Sequence, residues 1–293
     1  MQTKTIQKVI TKKLEEWLST IDNEKLVKKL RKNILVSGGS ITSMLLNEEV
    51  NDYDIYINDM SVLKSLVQYY INPFSDISIL DGRTDMDKCE WMLDKLSVAK
   101  RTLKEDQIKL YFSEVVWKRV NEDKPEEDMN YTPMFFSPNA ISLSDKIQIV
   151  LRFHGDNVAI HKTFDFIHAT NYFTFHDWLV TNKDALESIL TKQLRYQWSL
   201  YPLTSIIRIK KFVKRGWNIS AGEMLKMMLQ VSDLDLKDPD VLEEQLIGVD
   251  VAYFNTLIEV LRWVDNDKLN ISYVSSIIDK VFNDTNSWDM LWE

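Results

Sequence analysis

The sequence predicts an α+β protein: a mixed β-sheet head flanked by helices, followed by an all-helical C-terminal domain. Three observations lead there. Glycine and proline are scarce, 7 and 6 among 293 residues, which favours helix over an all-β design. Short apolar runs bounded by turn residues recur up to Phe153, between stretches of helical spacing. From about Lys183 to the end almost every segment has helical periodicity alone.

The first helices come from Ile6, Val9, Ile10, Leu14, Trp17 and Leu18, at helical spacing, with a break at Ser19 to Asn23 and a second helix running to Lys32. Ile34 to Val36 then reads as an apolar strand entering Ser37-Gly38-Gly39-Ser40, and Ile41 to Leu46 as a short helix. Asp52-Tyr53-Asp54-Ile55-Tyr56-Ile57 is a second strand that opens on two carboxylates. Ser61 to Ile71 is a helix closed by Asn72-Pro73, and Ile77 to Leu80 a short strand. Residues 84–128 mix charges of both signs with apolar positions in helical register, as expected of a helical insertion in the first domain. Strand signals return at Tyr131 to Phe136, Ala140 to Leu143 and Ile147 to Phe153. His154-Gly155-Asp156 is a turn, with Asp156 as N-cap of a helix no longer than Val158 to Lys162. Thr163 to Ala169 is a strand-like apolar run interrupted by Asp165. Helices are expected at Ala185 to Leu194, Leu203 to Arg215, Ala221 to Leu229, Pro239 to Ile247, Ala252 to Val264 and Tyr273 to Phe282. The expected domains are therefore 1–180 and 181–293.

Bulk properties narrow the function. A net charge of -8 argues against sequence-blind binding to nucleic acid, though not against a local basic face. The single cysteine, Cys89, leaves no intrachain disulfide and no thiolate zinc site. The charged amphipathic start is not a signal sequence, and no apolar run reaches the roughly 20 residues that span a bilayer. The expectation is a cytoplasmic protein (in the host cytoplasm if phage-encoded), with no membrane partner.

The chemistry concentrates around the glycine turn. Alternation on a strand puts Asp52 and Asp54 on one face and Tyr53 and Ile55 on the other. Two carboxylates beside a glycine turn whose N–H groups can hold a phosphate make a metal–nucleotide site. Two-metal nucleotidyl transfer needs a third acid, and Asp165 is the candidate, because an unpaired carboxylate in an apolar run costs several kcal/mol to bury. The bland alternative makes Asp165 a cap for a helix starting near Phe166, and Asp52 a turn residue.

Gly38-Gly39-Ser40, then Leu45-Leu46, then Asp52-Tyr53-Asp54-Ile55 resembles the signature of the polymerase-β-type nucleotidyltransferase superfamily. It is most similar to the head domain of CCA-adding enzymes and bacterial poly(A) polymerases. Pro202-Leu203, Ile206-Ile207-Arg208, Phe212 and Arg215-Gly216-Trp217 resemble the helix that follows that head, after a one-residue shift. The chain also resembles nucleotidyltransferase-like proteins of tailed phages around His154-Gly155-Asp156 and Phe164-Asp165-Phe166. The resemblance implies a nucleotidyltransferase-like head. In it Asp52 and Asp54 hold Mg2+ (or Mn2+) against an NTP, and Asp165, as the third metal ligand, helps to activate an acceptor hydroxyl. Gly38, Gly39 and Ser40 hold the leaving phosphates. The acceptor is an RNA end, a protein or a small molecule. Thr42-Ser43 stands where the family has Arg-Asp, and the base-selecting acid and arginine are missing near Leu200 to Ser205, so the resemblance implies nucleotide transfer but not CCA addition.

Lys192, Arg195, Arg208, Lys210, Lys211, Lys214, Arg215 and Lys226 interleave with Tyr196, Trp198, Tyr201 and Trp217. Two readings stand: a solvated helix face over core aromatics, or contacts to a triphosphate, a base or a polynucleotide. Under the second, Arg208 and Lys211 are the preferred nucleotide-binding pair, with Arg195 behind them. The four histidines, His154, His161, His168 and His176, are spaced too widely for a zinc module and are expected to hydrogen-bond around the active-site strands. Trp288, Leu291 and Trp292 could dock on the chain's own core or on a partner. The rival function is a catalytically inactive head that binds a nucleotide or serves phage assembly or host interaction.

Overall fold

The computed structural model describes residues 2–71, 130–136 and 139–236, with isolated positions at 238, 241, 244, 245, 272, 275 and 276. The strand expected at 77–80, the insertion at 84–128, Cys89, the last three expected helices and the C-terminal tryptophans lie outside the described residues. The chain divides into two compact units. The first comprises Met1–His161 and His168–Ile189, the second Lys162–Ile167 and Leu190–Glu293.

The first unit is α+β, as the sequence predicts. Helices α1 (Thr3–Ser19) and α2 (Glu24–Asn33) lead into β1 (Ile34–Ser37), α3 (Gly39–Leu46), β2 (Tyr53–Ile57) and α4 (Met60–Ile71). The starts of α2 and α4 are fixed by short acceptors. Asn23 accepts from the Leu26 N–H at 3.1 Å, and Asp59 accepts from the Ser61 N–H at 2.7 Å. After the described gap come β3 (Pro133–Phe136), β4 (Ala140–Leu143), β5 (Ile147–Val150), α5 (Asn157–His161), β6 (Tyr172–Thr174), β7 (Trp178–Val180) and α6 (Lys183–Thr191). Asp156 caps α5 as expected, accepting from the Ala159 N–H at 2.8 Å.

The strands form one sheet in the order β3-β4-β5-β2-β1-β6-β7. Only the β2–β5 pair is parallel, with Asp54 beside Gln148; the other pairs are antiparallel. Leu143 pairs with Ile147, so β4 and β5 are joined by three residues, Ser144 to Lys146, of which Asp145 and Lys146 take positive φ, 61° and 63°. One face of the sheet is the core. Val36, Ile55, Ile57, Ile141, Ile149 and Phe173 lie there against Ile6, Ile10, Leu14 and Trp17 of α1 and Leu63 and Leu66 of α4. The Trp17 indole donates to the Tyr70 hydroxyl at 2.7 Å, which satisfies both polar groups inside that core. Register places Leu35, Ser37, Asp54, Tyr56 and Tyr172 on the other face.

Two expectations are corrected. The run Thr163 to Ala169 is not a strand: Phe166 makes a single bridge to Tyr196, and Ile167–Ala169 is a 3-10 turn. The Asp165 carboxylate takes the Phe166 N–H at 3.0 Å, a local bond that diverts the backbone from a ladder. The second unit is not purely helical either. Alongside α7 (Pro202–Lys214) and α8 (Ala221–Ser232), β8 (Gln193–Leu194) and β9 (Asn218–Ile219) form a short parallel ladder. Phe166 is its fully buried anchor, with ring centroids 5.9 Å from Tyr196 and 5.7 Å from Phe212. Gly216, at φ 78°, ends α7 and turns the chain to Trp217, whose ring lies 5.8 Å from Phe212. Among the described residues no helix is long and apolar enough to cross a membrane.

Candidate functional site

In the first unit, β1 delivers the chain to Gly38 at φ 100° and ψ -150°, a conformation that is essentially glycine's alone. The chain then enters α3, so the N–H groups of Gly39 and Ser40 belong to the open first turn of a helix. Gly39 is exposed and Gly38 buried. A Cβ at Gly38 would meet Asp54 Oδ2 at 2.9 Å, whereas one at Gly39 would meet nothing within 4 Å. The close approach of carboxylate and turn therefore depends on the first glycine, and the second leaves open space beside the helix start.

The acids come from β2. Tyr53 and Ile55 turn into the core while Asp54, half-buried, lies on the opposite face. Asp52, also half-buried, stands immediately before the strand. The Val36–Ile55 pairing would next bring Ser37 opposite Asp54, so glycine turn and acid strand meet at one end of adjacent strands. Two carboxylates, with water and phosphate oxygens completing the shell, are a normal donor set for Mg2+. Among the described residues no three His, Cys, Asp or Glu side chains gather as a metal site. Ser40 is 2% exposed, and its hydroxyl finds no hydrogen-bond partner among the described residues. A buried unsatisfied hydroxyl costs about 1–3 kcal/mol, which an acceptor oxygen brought to the helix start would relieve.

Behind the turn lies a set of bonds that motif reading does not reveal. The Gly38 N–H donates to the Ala169 carbonyl at 3.1 Å, and Thr42 Oγ1 donates to the His168 carbonyl at 2.9 Å. Ser37 Oγ lies 2.9 Å from His161 Nε2, 3.1 Å from the Ala169 carbonyl and 2.8 Å from that of Asn171. Burial pulls the His161 imidazole down to about 4. The expectation that histidines hydrogen-bond around these strands thus holds for His161. Thr42 and Ser43 are both buried. Thr42 is occupied in tying α3 to the 3-10 turn.

The remaining expected site residues belong to the second unit. Asp165 is 8% exposed, and its Oδ2 accepts from Arg208 Nη1 at 2.9 Å. Asp165 and Arg208 therefore meet each other, a pairing the sequence reading did not foresee because it assigned one to metal and the other to phosphate. Arg195 lends its carbonyl to the Ile167 N–H at 3.0 Å. Lys211 is exposed on α7.

Comparison with known proteins adds a lineage. "Gabija anti-defense 2" of Bacillus phage SPbetaL7 is 23% identical over 239 residues, covering 80% of this chain and 47% of that protein. The chain therefore spans about half the length of that relative. Among solved structures, the Thermotoga maritima CCA-adding enzyme complexed with tRNA superposes with a TM-score of 0.36 at 15% identity, over 83% of this chain and 54% of that one. The Bacillus stearothermophilus CCA-adding enzyme in complex with CTP gives 0.36 at 10% identity, over 80% and 50%. Superposition at that level adds nothing to the reading of individual residues. The sequence match is of another kind: residues 8–192 fit the Gabija anti-defense 2 protein family, and the chain belongs to it.

Proposed function

We propose that this protein is a metal-dependent nucleotidyltransferase, and that it uses nucleotide transfer to counter the Gabija defence for which its family is named. The observation that carries the reading is that the Asp54 carboxylate occupies the space beside Gly38 that a side chain there would need, at the start of α3. It brings an acid to a place where backbone N–H groups and a helix dipole favour phosphate oxygens.

In this reading Asp52 and Asp54 hold Mg2+ or Mn2+, which when bound screens the phosphate charge and makes pyrophosphate a better leaving group. The Gly39 and Ser40 N–H groups and the Ser40 hydroxyl bind the leaving phosphates, and Gly38 lets the chain approach them without a side chain in the way. Arg195, Arg208 and Lys211 supply positive charge for the NTP, and Asp165, as a third metal ligand, helps to activate the acceptor hydroxyl. The acceptor class is an RNA end, a protein or a small molecule. The overall negative charge favours the last two.

One observation favours the rival reading, a head that binds nucleotide or a host protein without turnover. The Asp165 carboxylate is already engaged by Arg208 and the Phe166 N–H. The deciding experiment offers each labelled NTP with Mg2+ or Mn2+ to the protein, together with host RNA and host protein, beside Asp52→Ala/Asp54→Ala. The expected result is pyrophosphate release and label transfer by the wild type alone. Absence of both under every condition would sink the enzyme reading. A parallel plaque assay on Gabija-carrying bacteria tests the counter-defence: the wild type is expected to restore plaques and the double variant to fail.

A further inference from the structure

The sheet face that carries Asp54 also holds Ser37, His161 and Tyr172, and the roles assigned above leave them unused. Ser37 is fully buried at the end of β1. Its hydroxyl has one proton and three neighbours: the carbonyl oxygens of Asn171 and Ala169, at 2.8 and 3.1 Å, and His161 Nε2, at 2.9 Å. A carbonyl oxygen only accepts, whereas an imidazole nitrogen accepts or donates according to its tautomer. Were the serine proton aimed at His161, both carbonyl oxygens would face oxygen lone pairs at hydrogen-bond distance, which is repulsive. Aimed at the Asn171 carbonyl, with Ala169 sharing it, the proton leaves a lone pair toward His161. That nitrogen must then carry a hydrogen. Burial keeps the ring uncharged at neutral pH, with its pKa pulled down to about 4, so the single ring proton resides on Nε2.

We infer that His161 is a positioning residue for the glycine turn. Its Nε2–H donates to Ser37 Oγ, which turns the serine proton onto the carbonyls of residues 169 and 171. The Ala169 carbonyl also receives the Gly38 N–H at 3.1 Å, and the neighbouring His168 carbonyl receives Thr42 Oγ1 at 2.9 Å. Both ends of the turn are thereby anchored to the same short segment. The His161 ring is held in place by Tyr172, whose ring centroid lies 5.7 Å away. A change at His161 therefore moves the Gly38 N–H and the turn against which Asp54 rests. Only the consequence for turnover relies on the nucleotidyl-transfer reading; tautomer and turn geometry do not.

The test uses the full chain with 15N-labelled histidine. At pH 7 the His161 ring is expected to show a protonated Nε2 and a bare Nδ1, assigned by the loss of its signals in His161→Gln. A bare Nε2, or a ring charged at pH 7, overturns the inference. Amide exchange at Gly38 is then compared in wild type, Ser37→Ala, His161→Leu and His161→Gln. Loss of one hydrogen bond in the chain should speed Gly38 exchange about three- to tenfold in Ser37→Ala and His161→Leu. Glutamine keeps an N–H near the reach of Nε2 and should restore protection. Unchanged Gly38 exchange in the alanine and leucine variants, or equal acceleration across β4 and β5, overturns the positioning role. If His161→Leu fails to fold, Ser37→Ala and the wild-type tautomer carry the test alone. Pyrophosphate release from each NTP is measured on the same samples. Its absence in the wild type defeats the nucleotidyl-transfer reading, while the tautomer and Gly38 exchange still decide the positioning role.

Discussion

Gly38 and Gly39 are adjacent and chemically identical, yet the fold asks different things of them. Alanine at Gly38 must adopt φ 100° and ψ -150° and set its Cβ 2.9 Å from Asp54 Oδ2. Backbone strain alone costs about 1–3 kcal/mol there, and the clash adds to it. Gly38→Ala is therefore expected to lower the urea midpoint clearly and to abolish nucleotide binding. Gly39→Ala meets nothing within 4 Å and is expected to be neutral or slightly stabilising, alanine being the better helix former. Its methyl group would project into space assigned to phosphate, so Mg·NTP titration should show weakened binding without loss of stability. His161 supplies a prediction in pH. Burial puts its folded pKa at about 4, below the ordinary 6.5. Between those values the unfolded chain binds more protons than the folded one, so stability rises with pH. The contribution is complete above about 6.5 and gone below about 4. With a discount for the ring's partial solvation, the loss between pH 7 and pH 5 should be on the order of 1 kcal/mol larger in wild type than in His161→Gln, read from urea melts.

At the scale of elements, α3 departs from an ordinary surface helix. Ser40, Ile41, Thr42, Ser43 and Met44 are all buried, so no side of its first turns is free for a long charged side chain. Thr42→Arg would bury a guanidinium without a built partner and break the bond to the His168 carbonyl. A cost of at least about 3 kcal/mol is expected, visible as a large fall in thermal midpoint. Elements with long periodic patterns or strong punctuation were legible in the sequence: α1, α2 and α4 by spacing, β1-turn-α3 by its glycines, β3 to β5 by apolar runs between turn residues. The illegible ones are short. β6 and β7 have three residues each and β8 and β9 two, too few for alternation to register. The run around Asp165 looked like a strand because only its apolar content was visible. A carboxylate that bonds the next N–H and an arginine 43 positions later is invisible to a local pattern. The same holds for Ser37 and His161, separated by 124 positions and joined only by the sheet.

At the scale of the whole molecule, the two units do not correspond to two successive lengths of chain. Residues 162–167 belong to the second unit, although the first resumes at His168 and continues to Ile189. A fragment starting at Leu190 would lack Phe166, which fills the space between Tyr196 and Phe212, and Asp165, the partner of Arg208. Removing a buried phenylalanine costs about 3–5 kcal/mol, a large part of a small domain's stability. Such a fragment is expected to lack a cooperative melt by circular dichroism and to regain one when extended to Lys162. The same interleaving bears on synthesis. As the chain leaves the ribosome, β1 waits for β6 to complete its side of the sheet, and Phe166 emerges before any of the aromatic rings that will enclose it. The first unit is complete once Ile189 is out, whereas residues 162–167 must wait for the chain beyond Leu190, so the nascent protein passes through a stage with one interior closed and Phe166 still unenclosed, when a chaperone or protease has its best opportunity to intervene.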